Sequence, residues 1–155
     1  MIRNATDKDK DSLLAIAQAI GLFTPEDLKG FGEMMNEQLS GTDDQCWIVD
    51  EAEGIVGAAY YAPEPFAEGV WNLYFIGVHP DEQGKGRGRA LVQYVEEALR
   101  EKGDRLLLIE TSGKESFEAT RTFYRKNGYE EEARIRDYYQ DGDDKIIFRK
   151  ALHLA

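Results

Sequence analysis

The spacing of apolar residues along this 155-residue chain changes period several times, and each change marks an element. Ile2 to Ala5 has the pattern of a short strand. Leu13, Ile16, Ala17 and Ile20 then recur three and four apart, which puts them on one face of a helix. Thr6 caps its start, Asp7 and Asp9 favour its first turn, and Gly21 ends it. Thr24-Pro25-Glu26-Asp27 opens a second helix with a capping hydroxyl, a proline at the first helical position and acids in the first turn. Leu28, Phe31, Met35 and Leu39 supply its buried stripe. After a turn at Ser40 to Asp44, Cys46 to Val49 and Ile55 to Tyr61 read as the strands of a hairpin joined at Glu51 to Gly54. Ala62-Pro63-Glu64-Pro65 is a loop, and Trp71 to Val78 is apolar enough to lie centrally in a sheet.

The second half keeps alternating. Leu91, Val92, Val95 and Leu99 form one face of a helix closed by Lys102-Gly103, and Leu106 to Glu110 is a compact buried strand. Thr111 to Glu115 reads as a polar loop before a helix carrying Phe117, Thr120, Phe123 and Tyr124, ended by Asn127-Gly128. Ala133 to Tyr139 and Lys145 to Leu152 are strands around Asp141-Gly142-Asp143-Asp144, a strong hairpin turn. The order β-α-α-β-β-β-α-β-α-β-β predicts a mixed α+β or α/β layer, helices on a sheet, in a single domain spanning 1–155.

Charge narrows the partners. A formal net charge of -11 argues against nucleic acid, whose surfaces need unopposed Lys and Arg, and favours a cationic or amine substrate. The single Cys46 cannot form an intrachain disulfide. No apolar signal core follows Met1 and no run approaches a membrane span, so a soluble cytoplasmic protein without a membrane partner is expected.

The chemistry concentrates after the Trp71 to Val78 strand, in Gln83-Gly84-Lys85-Gly86-Arg87-Gly88-Arg89. A strand feeding a glycine-rich turn that opens a helix presents free N–H groups and the positive end of the helix dipole to one small volume, which suits a phosphate. Two phosphate motifs fail letter by letter. A P-loop needs Ser or Thr after its Lys, but Gly86 follows Lys85; a dinucleotide fingerprint needs a third glycine where Arg89 stands. What remains is Gln83-x-x-Gly86-x-Gly88 after Val78-His79-Pro80. Here the sequence resembles the GNAT superfamily of N-acetyltransferases, whose pyrophosphate signature is Q/R-x-x-G-x-G/A after a strand ending Val-x-Pro. Phe123-Tyr124, followed by Gly128-Tyr129, matches the family's second block, and the resemblance spans essentially the whole chain.

The resemblance implies a GNAT-like fold, a central, mostly antiparallel mixed sheet of about six to seven strands flanked by about four helices. It implies acetyl-CoA as co-substrate and direct attack of a primary amine on the thioester. Gln83, Gly84, Lys85, Gly86, Arg87, Gly88 and Arg89 would hold the pyrophosphate, and a backbone N–H of Val78 or its neighbours Ile76 and Gly77 would bind the thioester carbonyl. Tyr124 would protonate the leaving thiolate, its ordinary pKa of about 10 lying close to that of a thiol. The base is open among Glu110, a water held by Tyr74 or Asn72, and solvent, and Glu110 equally reads as a structural carboxylate among thirty acids. His79, before Pro80, reads as a turn residue rather than a base. Where relatives carry an Asn near the start of the Tyr-bearing helix, this chain has Phe117, so Ser112, Ser116 or water takes that contact.

The family's acceptor pocket would draw on Leu13 to Leu39 and Tyr138 to Lys145, which offer Phe23, Phe31, Met34, Met35, Tyr138 and Tyr139 with Asp141, Asp143 and Asp144. Core packing explains those residues equally well. The expected partners are acetyl-CoA and an amine, with no metal, and the chain is a monomer or homodimer. The alternatives are a non-catalytic acyl-CoA-binding module and an unrelated nucleotide-binding domain.

Overall fold

Proline at a helix start and glycine at a helix end have the geometry the sequence asks of them. The computed structural model describes residues 1–21, 23–39 and 46–153; the turn expected at Ser40 to Asp44 lies outside them. Strand β1 (Ile2–Asn4) leads through a 3-10 turn into helix α1 (Lys10–Ile20), which stops where Gly21 adopts φ 76°. Helix α2 (Pro25–Gln38) opens with a reciprocal cap: Asp27 N–H donates to Thr24 Oγ1 at 3.1 Å and Thr24 N–H to Asp27 Oδ2 at 2.9 Å. Strands β2 (Cys46–Ala52), β3 (Gly54–Pro63) and β4 (Val70–Val78) follow, then helix α3 (Arg87–Glu101), β5 (Leu106–Ser112), α4 (Glu118–Lys126), β6 (Glu130–Gln140) and β7 (Asp143–Ala151). The seven strands form one sheet in the order β1-β2-β3-β4-β5-β7-β6. β4 and β5 pair in parallel, whereas β1–β2, β2–β3, β5–β7 and β6–β7 are antiparallel.

Contacts gather the chain into two compact units. The first holds 1–62 and 75–95, and its core is Leu13, Ile16, Met35, Trp47, Val49, Ala58, Tyr60 and Phe75. Phe31 meets Trp47 and Phe75 edge to face at 5.5 and 5.1 Å. The second holds 63–74 and 96–155, with Leu73, Leu99, Leu107, Ile109, Tyr124, Ile146 and Phe148 buried. The β4–β5 ladder runs from Val70↔Leu106 to Leu73↔Ile109.

Several boundaries differ from the periodicity: Glu51, Ala52 and Gly54, expected in a turn, and Ala62 and Pro63, expected in a loop, lie in β2 and β3. Thr111 and Ser112 are not loop: they continue β5, pair with Ile146 and Lys145, and are buried, because their polar groups find partners there. Asp143 and Asp144 belong to β7, leaving a two-residue turn at Asp141-Gly142. β6 starts three residues before the expected Ala133; it is the sheet's edge and exposed throughout, so no buried face marks its start in the sequence. β6 also carries a wide bulge, its register jumping from Ile135↔Lys145 to Gln140↔Asp143. Asp137 takes φ 57° inside that bulge; its N–H donates to Asp144 Oδ1 at 2.9 Å and its Oδ1 accepts from Gly142 N–H at 2.8 Å. Among the described residues no helix is long and apolar enough to cross a membrane.

Candidate functional site

In the first unit, β4 ends at Val78 and the chain turns through Pro80–Glu82. His79 is a turn residue: its N–H donates to Val56 O at 2.8 Å and its Nδ1 accepts from Asp81 N–H at 3.1 Å. Gln83 Nε2 donates back to the Val78 carbonyl at 3.0 Å, so this side chain ties the glycine turn to the strand end. Gly84 and Gly86 have φ +78° and +82°, which only glycine adopts cheaply, and a Cβ on either would face open space. The first N–H bonded within α3 is that of Ala90, to Gly86 O at 3.0 Å. The N–H groups of Arg87, Gly88 and Arg89 therefore have no partner inside the helix, and they lie at the positive end of its dipole. This is an anion cradle built from backbone.

The basic side chains around it are mostly engaged. Lys85 Nζ sits 3.0 Å from Glu82 Oε2, and Arg87 bonds Asp50 Oδ2 at 3.0 Å and Glu82 Oε2 at 3.3 Å. Arg87 thereby anchors the start of α3 to β2; the Asp50 hydrogen bond holds its guanidinium above its ordinary range, and the hydrogen bond from Lys85, with a smaller effect of Arg87, holds the Glu82 carboxyl below its own. Arg89 is exposed and has no ion pair among the described residues. Gly77 serves close packing: a Cβ there would overlap Ile20 Cδ1. Ile76 and Val78 flank it on β4, Val78 buried.

In the second unit, Tyr124 lies on α4 and is 4% exposed, its ring against Phe123 and Phe148. Burial pushes its phenol well above the ordinary tyrosine value, with a smaller push from Tyr139, and no described residue hydrogen-bonds its hydroxyl. The Tyr124 carbonyl accepts from the N–H groups of Asn127 and Tyr129, each at 3.1 Å. The segment after it is locked from below: buried Glu96 on α3 accepts from Tyr129 OH at 2.7 Å and from Lys150 Nζ at 3.1 Å, and Lys150 also donates to Asn127 O at 2.9 Å.

Glu110 and Lys145 form an ion pair at 2.8 Å, with Lys145 Nζ 4.2 Å above the Tyr138 ring. Burial is the largest single influence and opposes the Lys145 charge, but the hydrogen bond and charge of Glu110 together with Tyr138 outweigh it and the ammonium is raised. Glu110 is thus a paired carboxylate rather than a free one. The Ser112 hydroxyl donates to Asp143 Oδ1 and accepts from Lys114 N–H at 3.1 Å, so it links β5 to the hairpin; Ser116 is exposed. Phe23, Phe31 and Met34 pack against the first unit's core and Met35 lies within it, whereas Tyr138 and Tyr139 are exposed on the bulge of β6. Glu64 had no sequence signal beyond its two flanking prolines. Its Oε1 accepts from Asn72 Nδ2 at 2.9 Å and Tyr74 OH at 3.4 Å.

Residues 42–131 match the family model described as an acetyltransferase (GNAT) domain. A solved structure from Desulfovibrio desulfuricans, assigned to the GNAT acetyltransferases, is 34% identical over 99% of each chain with a TM-score of 0.92. The ribosomal-protein-S18-alanine N-acetyltransferase of Escherichia coli shares the fold at 22% identity and a TM-score of 0.79, covering 100% of this chain and 95% of that one. So does the PaiA N-acetyltransferase of Thermoplasma acidophilum, solved with coenzyme A, at 18% identity and a TM-score of 0.77 over 97% and 98% of the two chains. None of the curated proteins compared matches the sequence.

Proposed function

The chain belongs to the GNAT acetyltransferase family, and from that premise we propose that it moves an acetyl group from acetyl-CoA to a primary amine. The observation that carries this reading is the backbone cradle at Gly84 to Arg89: three N–H groups at a helix start, with open space where glycine Cβ atoms would stand. Such a cradle suits a diphosphate, with Arg89 the cation free to join it. Lys85 and Arg87 act by fixing the turn through Glu82 and Asp50. Gln83, bonded to Val78 O, keeps the end of β4 in register with the turn, so that the Val78 N–H, next to those of Ile76 and Gly77, meets the charge that develops on the thioester oxygen.

The amine nitrogen attacks the thioester carbon, the C–S bond breaks, and an amide and coenzyme A result. Tyr124 stabilises the departing sulfur. Because burial raises its pKa, the phenol stays protonated across the working range and its task is to donate a hydrogen bond as charge develops, with the thiolate drawing its proton from there or from solvent. The proton lost by the amine leaves to solvent beside Glu110, which Lys145 pairs at 2.8 Å. Tyr124→Phe tests the assignment: amine-dependent release of CoA thiol should fall by about 100-fold in kcat while acetyl-CoA affinity holds. Unchanged release removes Tyr124 from the reaction, and no turnover by the parent across a broad amine panel favours an acyl-CoA-binding module instead.

A further inference from the structure

Asp137 is the one residue other than glycine with a positive φ among the described residues, and its neighbours hold it there. Its N–H donates to Asp144 Oδ1 at 2.9 Å, and its own Oδ1 accepts from Gly142 N–H at 2.8 Å. Asp144 is fixed in turn: Arg134 bonds its other oxygen at 2.5 Å, and its carbonyl accepts from Gly113 N–H at 2.8 Å. The hydrogen bond from the Asp137 backbone, with that of Arg134 next, holds the Asp144 carboxyl below its ordinary range. Between Ile135↔Lys145 and Gln140↔Asp143, residues Arg136, Asp137, Tyr138 and Tyr139 stand opposite Asp144 alone. A hairpin turn at Asp141-Gly142 needs no such excursion to close β6 on β7.

What the excursion delivers is an aromatic cover for Lys145. The Tyr138 ring lies over Nζ at 4.2 Å, and Nζ is 2.8 Å from Glu110 Oε1. Lys145 is only 9% exposed while Tyr138 is 52% exposed, so the ring meets solvent in place of the ammonium. Tyr139 stands at right angles to Tyr138 with centroids 5.0 Å apart. Burial and then the Glu110 charge raise the Tyr139 phenol, and Tyr139 adds to the push on Tyr124. The bulge therefore reaches both residues to which acetyl transfer gives a part in the second unit. Two half-exposed tyrosines on an edge strand bury too little to account for it as packing, and strain at a non-glycine residue gathers where a site needs it.

We propose that Asp137 is a positioning residue for the amine side of the reaction: by holding the bulge it seats Tyr138 on Lys145, and Lys145 thereby keeps the Glu110 carboxylate in place. This rests on the acetyltransferase reading and extends it. Asp137→Asn keeps both an acceptor for Gly142 N–H and tolerance of the left-handed backbone, whereas Asp137→Ala loses both.

Reductive methylation of the full chain with formaldehyde and dimethylamine-borane, read by peptide mass spectrometry, reports the cover directly. Lys145 should react about tenfold or more slowly than exposed Lys126 in the parent and in Asp137→Asn, and within about threefold of it in Asp137→Ala. Tyr138→Ala removes the cover without touching the bulge backbone and should unmask Lys145 equally, which keeps the proposal testable if Asp137→Ala melts early. Thiol release is then measured with tyramine, spermidine and Nα-acetyl-lysine methylamide. For any of these that the parent acetylates, the amine KM should rise about fivefold or more in Asp137→Ala, with acetyl-CoA KM within about twofold of the parent and both restored in Asp137→Asn. Lys145 still protected in Asp137→Ala, amine and acetyl-CoA KM rising together, or Asn behaving like Ala overturns the proposal. The labelling needs no turnover: three silent amines count against acetyl transfer, while the protection of Lys145 decides the part played by Asp137.

Discussion

Removing the Glu96 carboxylate should be among the most damaging single changes to stability. Glu96 is 3% exposed and its two oxygens take three contacts, one from Tyr129 OH at 2.7 Å and two from Lys150 Nζ at 3.1 Å, with Arg100 at 3.7 Å. Deleting one partner of a buried pair typically destabilises by about 3–5 kcal/mol, because the other charge is left uncompensated. Lys150 is a quarter exposed and keeps the Asn127 carbonyl, so Glu96→Ala belongs at the low end, about 3 kcal/mol, with Tyr129 OH stranded as part of that loss. Glu96→Gln keeps an acceptor for Tyr129 and loses only the charge, so about 1–2 kcal/mol is expected. Urea unfolding followed by far-UV circular dichroism reads this as a fall in the midpoint at constant m, and 3 kcal/mol corresponds to roughly 6–12 °C in Tm for a chain of this size. A double-mutant cycle with Lys150→Met isolates the pair: the double variant should recover at least about 1 kcal/mol of the summed losses. A Glu96→Ala loss under about 0.5 kcal/mol, or a coupling near zero, refutes the account. Because Asn127 and Tyr129 grip the Tyr124 carbonyl, kcat should fall with the same substitution even at temperatures where the variant is fully folded.

Two further outcomes follow from the first unit. Gly86→Ala forces a side chain into φ +82°, a strain of about 1–2 kcal/mol, and puts a methyl in the space the diphosphate would occupy, so acetyl-CoA Kd by calorimetry should rise about tenfold or more; an unchanged Kd would show that the anion does not lie there. Asp9 has its carboxyl held below the ordinary range first by its hydrogen bond to Arg3, at 2.8 Å, against an opposing effect of burial. A depressed carboxylate stabilises above its unfolded pKa of about 3.9 and loses that contribution as pH falls through its lower folded value. Arg3→Gln should therefore flatten the fall in urea midpoint between pH 5 and about 2, and an acid limb as steep as the parent's would assign that limb elsewhere.

What could be read from the sequence was local. Gln83 to Gly88 is contiguous, so its letter spacing is its geometry, and Thr24-Pro25 and Gly21 encode helix ends within a turn. The helix that carries Tyr124 was legible because Gly128 follows its end at a fixed offset. Contacts between distant positions had no such signal: Glu110 with Lys145, Glu96 with Tyr129 and Lys150, Glu64 with Asn72. Nor did the bulge of β6, since Asp137 adopts a left-handed backbone that a glycine would have advertised.

The glycine turn shows how such long-range contacts change the meaning of a local pattern. Lys85, Arg87 and Arg89 look like a positive patch when counted along the chain, yet in a chain with thirty acids a cation readily finds a carboxylate, and Lys85 and Arg87 find Glu82 and Asp50. Charge spacing in an acidic sequence therefore overstates free positive charge. A backbone N–H at a helix start cannot be neutralised in this way, because its direction is set by the helix itself. The glycines that expose those N–H groups are accordingly better evidence for an anion than the basic residues interleaved with them, and on this reasoning Gly86→Ala should weaken acetyl-CoA binding more than Lys85→Ala does.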